Sequence, residues 1–137
     1  MTQPAATNRP RAHPEQRFEG SESVFDLARA AGQLMAEPTA SHQGHRQKAL
    51  FREGPLTVAL FVFERGGFLP EHVVDGPVVI HVLEGAVMVA TPEGQHELAA
   101  GQLLRLAGGV SHNVTAEHPS RMLVTICRLG PNSGPAA

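Results

Sequence analysis

Residues 66–114 read GGFLPEHVVDGPVVIHVLEGAVMVATPEGQHELAAGQLLRLAGGVSHNV, and the fold is decided by how that stretch is punctuated. Gly66-Gly67, Asp75-Gly76-Pro77, Glu93-Gly94, Ala100-Gly101 and Gly108-Gly109 interrupt it with residues that tight turns require, either for φ > 0 or for a fixed φ. The runs between them are short and apolar, which predicts strands over 69–74, 77–83, 86–91, 95–99, 103–106 and 112–116. Working outward, Gly54-Pro55 and Glu117-His118-Pro119 separate further strands at 45–52, 56–64 and 121–128. Many short strands with frequent turns predict an all-β barrel.

Two of these strands lack a polar face. In Leu56–Phe63, Val58, Leu60 and Val62 alternate with Ala59, Phe61 and Phe63. In Pro77–Leu83, Val78, Ile80 and Val82 alternate with Val79 and Leu83. A strand with one wet face alternates apolar with polar, so both faces are expected to be covered. The lumen takes one face, and a helix or a second subunit takes the other. The expected assembly is a homodimer using the face of Val79, His81 and Leu83.

Upstream, one N-terminal helix is predicted near 23–36. Ser23 is its expected cap, with Asp26 in the first turn where a carboxylate suits the helix dipole. Val24, Leu27, Ala28, Ala31, Leu34 and Met35 recur at helical spacing, and Pro38 ends the run. That stripe suits the outside of the barrel or its twin subunit, and a docking helix for another protein is the alternative. The expected organisation is a disordered polar leader over 1–22, containing His13, helix and connector over 23–44, barrel over 45–128, and a tail over 129–137.

The whole chain has 137 residues, 42% hydrophobic and 18% charged, with a formal net charge of −2. That balance gives no reason to expect nucleic acid or an anionic membrane as partner. The absence of Trp and Tyr also argues against base stacking. No apolar run approaches the ~18 residues of a membrane span, and Met1 to Arg11 do not resemble a secretory signal. The single cysteine, Cys127, cannot form an internal disulfide and reads as part of a core strand, so a cytoplasmic location is expected.

Within 66–114 the order is a glycine turn, a strand bearing His72, a strand ending at Gly85, a hairpin, Gly101, a short strand, a Gly108-Gly109 turn and His112. This resembles the cupin family, a double-stranded β-helix or jelly-roll barrel, over about residues 45–128. Gly67, His72 and Gly85 match the family's first motif, and Gly101, Gly109 and His112 its second. In metal-binding members, a His-x-His pair and a glutamate of the first motif join the histidine of the second around a divalent metal. Positions i and i+2 of a strand share one face, which is why that spacing works. Here the second histidine position is Val74 and the glutamate position is Val78; Ala107 and Gln102 also depart from the second motif. The resemblance therefore implies His72 and His112 as the metal positions, with any Zn, Ni, Mn or Fe weakly held.

Among the remaining histidines, His81 is predicted on the outer face, opposite to Ile80. His96 is even-spaced with Leu98 and is placed inward, while His42 and His45 open the first strand near a barrel mouth; each is a candidate third ligand. His118 reads as a turn residue. Glu71 faces away from His72 as its strand neighbour, and Glu84 and Glu93 are predicted to be solvated. No acid/base pair emerges, so no catalytic residue is named. Neither glycine-rich stretch has phosphate-loop spacing, and Ser111 beside His112 is not a triad.

Three functions fit. One is a small-molecule-binding barrel whose apolar pocket is lined by Val74, Val78, Ile80, Val82, Leu104 and Leu106 around the two histidines. The second is a metal-dependent cupin enzyme, of dioxygenase or isomerase type, completed by an additional ligand. The third is a structural module with hydrogen-bonded core histidines.

Overall fold

The computed structural model describes residues 20–130. Of the expected leader only residues 20–22 are described, and of the tail only Leu129 and Gly130; His13 lies outside the described residues. Among the described residues, helix α1 (Leu27–Met35) precedes β1 (His45–Glu53), β2 (Leu56–Phe63), β3 (Phe68–His72), β4 (Val78–Glu84), β5 (Ala86–Thr91), β6 (Gly94–Ala99), β7 (Leu103–Leu106), β8 (His112–Thr115) and β9 (Ser120–Cys127). All the strands expected from turn spacing are present, the largest shift being that β3 stops at His72 rather than at residue 74.

The strands pair antiparallel into a five-stranded sheet, β1-β2-β9-β4-β7, and a four-stranded sheet, β3-β8-β5-β6. Between the sheets lies a core containing Phe61, Phe63, Val78, Ile80, Val82, Val87, Val89, Val114, Met122 and Val124. This is a jelly-roll arrangement, in which two stacked sheets enclose a lumen.

The alternation in β2 divides two environments. Ala59, Phe61 and Phe63 enter the lumen, whereas Leu60 and Val62 join Ala31 and Leu34 of α1 and Leu50 in a second cluster outside. The helix therefore supplies the cover that the doubly apolar strand requires. Leu83 and Leu123 pack against the same cluster.

The helix starts later than its apolar spacing predicts. Asp26, not Ser23, is the cap: its backbone is extended, and its Oδ1 accepts from the Arg29 N–H at 3.0 Å. Val24 lies ahead of the helix and is 94% exposed, so its place in the stripe was a coincidence of spacing. An Asp side chain reaches the third helical N–H as well as Ser does, and in the helix that follows Ala31 and Leu34 pack against Leu50 of β1 and Leu60 and Val62 of β2. Asp26→Ala is expected to cost about 1 kcal/mol, and Ser23→Ala almost nothing, in urea unfolding midpoints.

The crossover from β3 to β4 runs through Gly76, which packs flat against the backbone of β9. A Cβ at Gly76 would lie 1.8 Å from the Cys127 carbonyl oxygen. Cys127 itself is a free, half-buried thiol rather than a core residue. Its alternation with Thr125 and Leu123 places it on the outer face of the large sheet.

Candidate functional site

The site begins at the pairing of β3 with β8. Phe68 opposes Thr115 and Leu69 opposes Val114, but the register then shifts so that His72 opposes His112. An unbroken ladder from Leu69 would have set Glu71 against His112. The extra residue forms a bulge at Pro70-Glu71, on an edge strand where proline's missing N–H leaves no ladder bond unmade. Val114 is 1% exposed in the lumen core, and His112 two positions earlier shares its face. His72, paired to His112, therefore points inward as well, and Glu71 outward, where it accepts a hydrogen bond from Ser111 Oγ.

The two imidazoles meet with ring centroids 4.3 Å apart and planes inclined at 59°. His112 is buried and His72 is exposed, so the pair stands at a mouth with one ring inside and one outside. Each Nδ1 lies 3.0 Å from the carbonyl oxygen two residues back in its own chain, Pro70 for His72 and Val110 for His112. A carbonyl can only accept, so each Nδ1 carries the proton and each Nε2 presents a lone pair. Among the described residues, Arg46 Nε is the one sealed side-chain nitrogen or oxygen without a partner, so the Nε2 of His112, which has no hydrogen bond within the described residues, is not completely sealed.

Burial holds the His112 imidazole below its ordinary value; the Val110 carbonyl opposes that shift, and the nearby His72 adds to it. The unfolded chain protonates this ring near pH ~6.5, and the folded chain only below that. Stability owed to the neutral folded ring is therefore complete above pH ~6.5 and is lost as pH falls through the lowered folded-state value. Denaturation midpoints measured from pH ~8 down to ~5 are expected to drop, with a shallower slope in His112→Gln.

Val74 follows His72 at i+2 and is 7% exposed; Val78 opens β4 and is 2% exposed. Together with Ile80, Val82 and Leu106 they are packed into the lumen core, with half-buried Leu104, Leu69, Val110 and Ile126 against them. Two imidazoles and two valines do not make a complete metal shell. Among the described residues no group of three or more His, Cys, Asp or Glu could hold a metal ion.

The other histidines fall apart from the pair. His96 opposes Val89, itself opposite Val114, so it is on the lumen face but two strands away from β8. His45 is also inward, paired with Phe63, yet it sits by the start of β3 rather than by its end. It is 5% exposed, flanked by Phe61 and Phe63, and its Nδ1 donates to the Phe68 carbonyl oxygen while Nε2 meets the Gln47 amide at 3.1 Å. Those bonds occupy both nitrogens, and His42 beside it is exposed. His81 pairs with Leu103 and Leu123 on the outer face, as its odd spacing predicts. Glu84 is largely exposed and ion-paired to Arg121 at 3.3 Å. Two open depressions, of about 330 Å³ beside His42 and Arg46 and about 250 Å³ beside Phe25 and Phe51, are lined by neither His72 nor His112.

This jelly roll of two antiparallel sheets is the cupin fold, shared with solved cupin structures. It is similar to a cupin superfamily protein from Desulfitobacterium hafniense, at 18% identity and a TM-score of 0.61, covering 66% of this chain and 83% of that one. It is also similar to a Thermus thermophilus protein, at 26% identity and a TM-score of 0.64, covering 77% and 97% respectively. A third similar structure is salicylate 1,2-dioxygenase from Pseudoaminobacter salicylatoxidans, at 17% identity and a TM-score of 0.60, covering 73% of this chain and 31% of the enzyme. No protein-family model matches the sequence, and no curated protein does.

Proposed function

We propose that the lumen mouth at His72 and His112 binds a small organic molecule and holds divalent metal only weakly. The observation that carries this reading is the 4.3 Å imidazole pair, set on an apolar floor in which Val74 and Val78 take the other two expected ligand positions. Apolar walls with a few convergent polar groups are the usual composition of a small-molecule site. Two neutral imidazoles leave a dication's charge uncompensated and half its shell to water. Elemental analysis after dialysis, followed by calorimetric titration with Zn²⁺, Ni²⁺, Mn²⁺ and Fe²⁺, tests it. Weak, exchangeable binding is expected, and stoichiometric metal surviving dialysis overturns it.

One observation favours a second reading, a metal-dependent enzyme of dioxygenase or isomerase type. Both Nδ1 protons are fixed by backbone carbonyls, the second-layer bond that orients ligating histidines. A similar structure is a dioxygenase. That reading requires a ligand beyond the histidine pair; retained metal in the same experiment would favour it, and turnover by the metal-loaded protein is what would establish an enzyme.

A second copy of the chain is proposed to cover the part of the large sheet that α1 leaves open. There Val79 and His81 are half-buried and Leu103 is 60% exposed, although Leu83 packs against the α1 cluster. Sedimentation is expected to give a dimer that Val79→Asp disrupts, since an unpaired buried charge costs several kcal/mol. A wild-type mass near 14.6 kDa, that of a single chain, refutes it. No described helix is long and apolar enough to cross a membrane, and a reducing, cytoplasmic compartment is proposed from the lone Cys127.

A further inference from the structure

We infer that the ligand of this mouth carries two hydrogen-bond donors on an apolar body, as a vicinal diol, an amino alcohol or a primary amine does, and that carboxylates of the same shape are refused. The inference rests on the lumen being a small-molecule site and adds the chemical class that it takes.

Donors and acceptors at the two rings decide the class. Both Nδ1–H groups are already spent on the Pro70 and Val110 carbonyls, 3.0 Å away in each case. Each of those carbonyls lies two residues back in the same chain, so the bond is set by local backbone geometry and does not depend on a ligand. What remains at the mouth is two lone pairs on rings 4.3 Å apart. A neutral imidazole with its proton on Nδ1 has nothing left to donate. A carboxylate brings only acceptors, so it would face two lone pairs, lose its hydration and gain no bond. A pair of adjacent hydroxyls, or an ammonium, can donate to both nitrogens at once.

The surroundings agree. The half-buried residues packed at the edge of the lumen core are Leu69, Leu104, Val110 and Ile126. By strand alternation Thr91 shares the inner face with Val89, and His96 lies opposite Val89. None of these carries a fixed positive charge to receive an anion, and the leucines, valine and isoleucine suit a hydrocarbon body.

The test compares two probes with one apolar ring and opposite head groups, cis-cyclohexane-1,2-diol and cyclohexanecarboxylate. The full-length protein is freed of metal with a chelator that is then removed, and held at pH about 8, above the ordinary imidazole value of ~6.5. Long-range proton–nitrogen spectra of the histidine rings read the tautomer and locate binding. Both rings are expected as Nδ1–H tautomers. The diol is expected to shift the Nε2 signals of His72 and His112 and to bind roughly ten- to a hundredfold more tightly than the carboxylate. That preference is expected to vanish in His72→Phe, a change at an exposed ring that leaves the core intact. An Nε2–H tautomer at either ring, or a carboxylate that binds the pair as well as the diol, overturns the donor class while leaving the lumen as a binding site. If neither probe moves either ring, the small-molecule reading of the lumen falls, and the donor class with it.

Discussion

Affinity for Zn²⁺ is expected to rise by about a thousandfold when Val74 and Val78 are replaced together by histidine and glutamate. Loss of groups that only support a metal ligand already costs ~10–100-fold in affinity, so adding two direct ligands should gain at least that much twice over. The geometry favours the change. Val74 stands two residues beyond His72 on the inner wall, and Val78 is packed in the same core as Val74. The glutamate also supplies the negative charge that two imidazoles lack. Without metal the double variant is expected to be less stable, because it buries a carboxylate at a position only 2% exposed. Zinc should then raise its melting temperature far more than that of the wild type, since binding to the folded state is stabilisation. Calorimetric titration beside melting curves reads both effects. A folded double variant with wild-type zinc affinity would show that these positions do not converge on the histidine pair.

Gly76→Ala is expected to destabilise the protein by roughly 3 kcal/mol or more, the upper end of overpacking costs. The added carbon would sit 1.8 Å from the Cys127 carbonyl oxygen, and Gly108 packs on the other side with its own Cβ position 2.9 Å from the Gly76 backbone. No side chain can swing aside, because every atom in the way is backbone. The neighbouring bonds would break with the contact: Cys127 N–H to Pro77, Leu129 N–H to Asp75, and Gly109 N–H to Val74. The first two fasten the crossover that follows His72 to the end of β9, and the third fastens it to the turn that precedes His112, so surviving folded protein should also show a disturbed histidine pair. Guanidinium unfolding reads the stability loss; a midpoint within error of wild type would mean that the crossover does not pack as described.

Much of the strand order was legible because turns in this chain are made by residues with specific backbone duties. Gly54-Pro55, Glu93-Gly94 and Gly108-Gly109 each separate strands where the spacing placed them. The double apolarity of β2 correctly required a cover on both faces, and α1 provides the outer one. The start of α1 was not legible, since Ser23 and Asp26 are both good caps and their side chains alone do not choose between them. For the site, the histidine pair was legible through its place among the glycines. Alternation correctly placed Glu71 outside, but it says nothing of the bulge that brings His72 opposite His112 after Leu69. The inward burial of His45 depends on its register with Phe63, a long-range pairing that local spacing does not encode. The fixed tautomers depend on carbonyl directions, which are a property of the folded backbone alone.

The bulge at Pro70-Glu71 has an evolutionary consequence. It works as a frameshift in facing, because residues before it are read in one parity and residues after it in the other. A chain lacking Pro70 would keep His72 opposite His112 on a regular ladder. A chain that kept all its residues but straightened the strand from Leu69 would set Glu71 against His112 instead, bringing a carboxylate into the lumen and turning His72 out to solvent. Imidazole and carboxylate can therefore exchange at the mouth by a shift of register on an edge strand, with no substitution at His72 or Glu71. Aligning such relatives position by position would pair His72 with histidines that face the other way, and because the two arrangements can have the same number of residues between Leu69 and Val74, only the register opposite His112 tells them apart.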